Sequence, residues 1–193
     1  MRTAGPEGNA RLTALIGVAL MVLLAVEGIT LISLRSMISW HIFVGLLLVP
    51  VVALKLGSTG YKIYRYYTRR ADYVKAGPPH LLLRLLGPVV AVSTIALLAT
   101  GILLIAEKPG DGLTLLLHKA SFVVWVGAFG VHTLAHLGPL PRALRSDLGG
   151  RDEVAGSRVR LLLVAGAVVI GAIAAVAVLP QSAAWVHWLQ LEH

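Results

Sequence analysis

The chain has 193 residues, of which 57% are hydrophobic and only 13% charged, with a net charge of +8 and no cysteine. That balance excludes a soluble globular domain and places the chain in a bilayer with its basic charge at the edges. The lack of cysteine excludes disulfides, iron–sulfur clusters and any cofactor held through a thiolate or thioether, which leaves histidine as the strong metal ligand available in number.

Five continuous apolar runs predict transmembrane helices at about 12–34, 37–57, 81–106, 113–137 and 161–180, each near the ~20 residues a bilayer requires. Continuous runs argue for helices; a closed barrel would show short alternating segments. The expectation is an all-α membrane protein forming one integral membrane domain over 1–193.

The first run is as hydrophobic as a signal peptide, but it is long, holds Glu27 and leads into Leu-Arg-Ser where a cleavage site would need small residues. An uncleaved helix is expected. The second run carries His41 near its start, Gly45 one turn later, Pro50 as an expected kink and Lys55 near its end. Beyond it, GYKIYRYYTRRADYVKAGPPH combines Lys62, Arg65, Arg69, Arg70 and Lys75 with Tyr61, Tyr64, Tyr66, Tyr67 and Tyr73. Basic and aromatic residues together indicate a cytoplasmic membrane interface, not a nucleic-acid surface.

His80 closes that link, and Arg84 follows in the third run. The fourth run, LLLHKASFVVWVGAFGVHTLAH, is unusual: it could cross a membrane, yet it holds His118, Trp125, His132 and His136. A second basic link follows, with Arg142, Arg145, Arg151, Arg158 and Arg160. Both basic links on the inner side put the N-terminus in the cytoplasm of a plasma-membrane protein and the C-terminus outside. The fifth run, rich in Gly, Ala and Val, is a packing helix. In the tail, Trp185 and Trp188 are expected at the outer interface with His187 between them.

Depth then sorts the histidines. In this topology the second and fourth helices both enter from outside, and His41 and His118 lie about 6–8 Å below their outer ends. Two imidazoles at one level on two helices suit the axial positions of haem b, a metal group that brings four equatorial nitrogens of its own. Gly45 shares a face with His41 and leaves room for a flat macrocycle. His132 follows His118 by 14 residues, close to four whole turns, and so shares its face about 21 Å deeper; His136 continues the stripe.

Histidines at this spacing resemble those of diheme b-type membrane cytochromes, the cytochrome b561-like and ferric-reductase-like families among them. The wording WHIFVGLLLVPVVALKLGSTGYKIYRYYT, YVKAGPPHLLLRLLGPVVAVSTIALLATG and LLHKASFVVWVGAFGVHTLAH is similar to an actinobacterial cytochrome b561-like group, some of which accompany molybdopterin oxidoreductases. The resemblance covers the second to fourth helices. It implies a four-helix haem-binding bundle plus a fifth helix, with one or two haem b groups and electron transfer at or across the membrane.

One departure is clear. Where a second histidine would follow His41 by 14 residues, the chain has Lys55. Either an inner haem uses His80 with His132 or His136, or there is one haem only. Glu27 is expected near the level of the outer pair, as a partner for a ligating histidine, a protonation site for quinol chemistry or a packing residue. Trp125 lies midway between His118 and His132, lining the gap between two haem positions or packing. Arg35 and Lys119 on the outer side, and Lys55 and Arg84 on the inner, suit haem propionates or headgroups.

These residues favour an electron-transfer subunit between a quinol or other donor and a partner redox protein, itself periplasmic or membrane-bound. A self-contained oxidoreductase would need a donor site that the short links do not supply. The remaining alternative is a non-redox transporter or assembly anchor whose histidines pack or bind metal.

Overall fold

The computed structural model describes residues 5–75, 81–107, 109–110, 112–137 and 156–191, with backbone only at 81–83 and 135–137. Among these, every regular element is helical: α1 (Pro6–Ile32), α2 (Leu34–Tyr67), α3 (Ala71–Lys75), α4 (Leu81–Ala106), α5 (Leu113–Leu137), α6 (Ser157–Val178), a 3₁₀ turn (Leu179–Gln181) and α7 (Ser182–Leu191). Five of the helical stretches are long and apolar enough to cross a membrane. The protein is an all-α, multi-pass membrane protein. Its outward surface is apolar, as at Val22, Val92, Val123 and Ile173, which suits a lipid solvent.

Two antiparallel hairpins organise the fold. α1 and α2 are joined by Ser33 alone, at φ −133° and ψ 52°. Their register brings Asn9 and Thr13 to Ser58, Ile16 to Val51, and Glu27 to His41. α4 and α5 form the second hairpin: the Trp125 indole donates to Thr94 Oγ1 at 2.9 Å, and the Thr114 hydroxyl donates to Glu107 at 2.9 Å.

α6 packs on the first hairpin. Val164 and Ala167 join Ile16 and Val51 in a buried apolar cluster. The closest approach is at Gly171, where an added Cβ would lie 2.6 Å from the Leu47 carbonyl oxygen and 3.0 Å from Pro50 Cγ. Only a glycine fits there, so the small residues of α6 include one steric requirement. The second hairpin touches the rest chiefly through α4 against α2 and through α7.

The third and fourth predicted helices have the observed bounds. The first begins earlier, at Pro6, because proline is tolerated in the first turn, where its missing N–H would have no partner. The second runs ten residues past its predicted end at 57, to Tyr67. Tertiary contact sustains this extension: Tyr73 of α3 is only 5% exposed and meets the Tyr61 ring edge-on at 6.2 Å, while the Arg65 guanidinium lies 5.6 and 5.7 Å from the two rings. Tyr73 is thus a buried contact and not part of an exposed interfacial belt. Trp185, also expected at the interface, is 6% exposed: it sits against Ile38 and Ile42 and donates to the Leu104 carbonyl at 2.9 Å. α7 therefore folds back on the bundle, and His187 stays exposed on it.

Candidate functional site

The two hairpins meet at His41 and His118. His41 stands in the second turn of α2, on the face that opposes α1. Its Nδ1 lies 2.8 Å from a Glu27 carboxylate oxygen and 3.3 Å from Thr30 Oγ1. Thr30 is fully buried and donates its proton to the Glu27 carbonyl at 2.6 Å, so towards His41 it can only accept. With Thr30 able only to accept, the imidazole proton sits on Nδ1, beside the Thr30 oxygen and the Glu27 carboxyl group, and the Nε2 lone pair is left for another use.

His118 reaches the same arrangement from α5. Its Nδ1 lies 3.1 Å from the Leu97 carbonyl oxygen and 3.0 Å from Thr100 Oγ1. A carbonyl only accepts, and the Thr100 hydroxyl is already directed at the Ala96 carbonyl at 2.7 Å. The proton is again on Nδ1, with Nε2 bare. Gly101 eases this approach: a Cβ there would lie 3.3 Å from His118 Cε1, and the ring would have to give by a few tenths of an ångström.

The rings meet edge to face between the two hairpins, with centroids 6.4 Å apart and planes at 82°. A metal–nitrogen bond of about 2.0–2.1 Å and roughly 1.1 Å from nitrogen to ring centre would set two axial imidazoles about 6.3 Å apart, centre to centre. The observed spacing is of that order, and it is also the spacing of an ordinary edge-to-face ring contact. Among the described residues no three His, Cys, Asp or Glu side chains converge to hold a metal ion by themselves. Two nitrogen donors suit a metal that carries its own equatorial ligands.

No protein family matches this chain, and no characterised relative or solved structure matches it either. The site's own chemistry therefore carries the functional reading.

The other expected residues fall as follows. Gly45 faces the Glu27 carboxylate, which an added Cβ would approach to 3.8 Å, an ordinary contact. Arg35 is exposed in the first turn of α2, and Lys119 and Arg84 are exposed on α5 and α4. His132 is half-buried on α5. His136 belongs to the same helix, with its backbone alone described, and His80 lies outside the described residues. Trp125 is both a hydrogen-bond donor to α4 and part of an aromatic ladder, stacked on Phe129 at 4.6 Å and near-parallel to Phe122 at 6.4 Å.

Lys55 does not extend to the headgroups. Its Nζ donates to the Thr13 carbonyl at 2.7 Å, beside a hydrogen-bonded group of Asn9, Thr13 and Ser58. It passes beside Gly17, where an added Cβ would lie 3.4 Å from Nζ, an ordinary contact. Thr30, Thr100, Gly101 and the Leu97 carbonyl were not identified from sequence as site residues. The two threonines had a weak signal, as hydroxyls at the depth of the histidine pair; the carbonyl had none.

Proposed function

We propose that the protein is a haem b cytochrome of the plasma membrane, an electron-transfer subunit passing electrons between a quinol or other donor and a partner redox protein. The observation that supports it is the His41–His118 pair: rings 6.4 Å apart, with each Nδ1 proton committed to the protein. His41 and His118 would hold the iron, and Arg35 and Lys119 would take the porphyrin's acid groups. Bound there, haem supplies reversible one-electron chemistry.

The chain's own residues set the terms of that chemistry. Glu27 orients His41 and, through its negative charge, strengthens the imidazole as a donor. Leu97 and Thr100 orient His118 without a full charge. The apolar walls of α2 and α5 keep the region low in dielectric, where the Glu27 charge is felt strongly. By the same reading the basic residues of the α2–α3 region and of the α6 start face the cytoplasm, which places the histidine pair near the outer side.

The test is a dithionite-reduced minus oxidised spectrum of the purified protein with haem extracted and counted per chain. A b-type spectrum is expected, lost or converted to high spin in His41→Ala and in His118→Ala. Colourless protein from haem-replete cells would overturn the cytochrome reading and bring forward the transporter or anchor reading.

A further inference from the structure

Where α2 ends, the chain turns back in a conformation that its residues do not favour. The Thr68 amide donates to the Tyr64 carbonyl at 2.9 Å, the Arg69 amide to that of Tyr66 at 3.0 Å and the Arg70 amide to that of Arg65 at 3.2 Å. This is the pattern by which a left-handed residue closes a helix. Here that residue is Arg69, at φ 54°, the one non-glycine residue with positive φ among the described residues. Glycine takes this backbone without steric cost, whereas a residue with a Cβ adopts it under strain. An arginine kept at such a position implies a use for its side chain.

The turn frames a pocket. Tyr66 and Tyr67 of α2, Arg69 of the turn, and Ala71, Val74 and Lys75 of α3 line a space of about 520 Å³. Tyr73, buried against Tyr61 and the Arg65 guanidinium, holds α3 back along α2 and so fixes the shape of this space. Arg69 and Lys75 bring two positive charges to it, and among the described residues no carboxylate forms an ion pair with either. Residues 61–75 carry five basic side chains against one carboxylate, Asp72, which is exposed and does not line the pocket. Tyr66 and Tyr67 add hydroxyl donors, and Ala71 and Val74 an apolar wall.

Depth decides what fills it. Tyr73 meets Tyr61, which lies four residues, or about 6 Å, past the end of the apolar run at 57. Headgroups occupy roughly 5–8 Å on each side of the hydrocarbon, so α3 lies in that layer. Ile63, 52% exposed, stands one turn before Tyr67 on the same face of α2 and gives an apolar track from the hydrocarbon to the pocket. We infer that the α2–α3 elbow binds one anionic phospholipid. Arg69 and Lys75 hold its phosphate, the tyrosine hydroxyls donate to the same oxygens, and an acyl chain follows the Ile63 face. A free phosphate would use the charges and leave the apolar wall and track without a partner. The site is independent of the haem reading of His41 and His118.

The experiment is native mass spectrometry of the full-length protein released from detergent, titrated with phosphatidylglycerol or with phosphatidylcholine of the same acyl chains. One phosphatidylglycerol per chain is expected to bind about tenfold or more tightly than phosphatidylcholine. Lys75→Gln and Arg69→Gly should each weaken it by roughly fivefold, the worth of one basic residue at an anionic surface. Lys62→Gln, which removes an exposed charge outside the pocket, should leave it unchanged. Arg69→Gly also relaxes the turn, so without lipid it should melt no lower than the wild type. Should it melt lower, Lys75→Gln, which leaves the turn untouched, decides alone. Equal binding of the two lipids overturns the site. Lys62→Gln weakening binding as much as Lys75→Gln also overturns it, since the attraction is then diffuse. Displacement of the lipid by millimolar inorganic phosphate shows a free-anion site and overturns the lipid assignment.

Discussion

Glu27→Gln keeps a hydrogen-bonding side chain beside His41 and removes only its charge. The expected result is a raised haem midpoint potential, read by redox titration, with haem affinity lowered by about 10–100-fold as for other partners of metal-bound histidines. Thr100→Val should leave the potential nearly unchanged, because the Leu97 carbonyl still accepts the His118 Nδ1 proton. A potential that moves with Thr100→Val and not with Glu27→Gln would invert this account. At the residue scale the sequence was partly readable. His41, His118 and Glu27 stood out because ionisable groups inside an apolar run are costly and few. Thr30, Thr100 and Leu97 did not, since hydroxyls are common in membrane helices and a carbonyl belongs to every residue alike.

Among the elements, α6 provides the sharpest steric test. Gly171→Val would drive a side chain into the Leu47 carbonyl and the Pro50 ring, so α6 must shift from α2 at a cost of about 1–3 kcal/mol or more. Gly166→Ala, on the same helix with nothing within 4 Å of the added methyl, should be neutral or stabilise by up to ~1 kcal/mol. Thermal melts in detergent that rank these two in the other order would show that α6 packs elsewhere. Trp185→Phe keeps an aromatic ring, removes the bond to the Leu104 carbonyl and leaves a small void beside Ile38 and Ile42, with an expected loss of about 1–3 kcal/mol. Here hydrophobicity alone located α4 and α5 to the residue, because lipid-spanning runs end where polar residues begin. The α2 extension and α7 were not readable in that way: both are held by tertiary contacts, Tyr73 against Tyr61 in one case and Trp185 against Ile38 and Ile42 in the other.

At the scale of the molecule, His41 belongs to the hairpin that α6 covers, and His118 to a hairpin that packs mostly on itself. A metal bonded to both would cross-link the halves. Hydrogen exchange on haem-loaded and haem-free protein should show α4 and α5 losing protection on haem removal more than α1 and α2 do. Equal loss throughout would show that the hairpins are already tightly joined. Topology is testable on the same scale, since the chain has no cysteine: Ser36→Cys should react with an impermeant thiol reagent from outside the cell, and Thr68→Cys should not.

The single residue between α1 and α2 has a consequence for biosynthesis. Glu27 and His41 are only 14 residues apart in sequence and meet as soon as the first hairpin closes, whereas His118 is synthesised 77 residues after His41. Half of the outer site is therefore built, with its imidazole already oriented, long before the other half leaves the ribosome. Haem arriving early would find one ligand and an open face; haem arriving late would find two. On the haem reading, the first hairpin can present an oriented imidazole to the cofactor before the second hairpin closes over it.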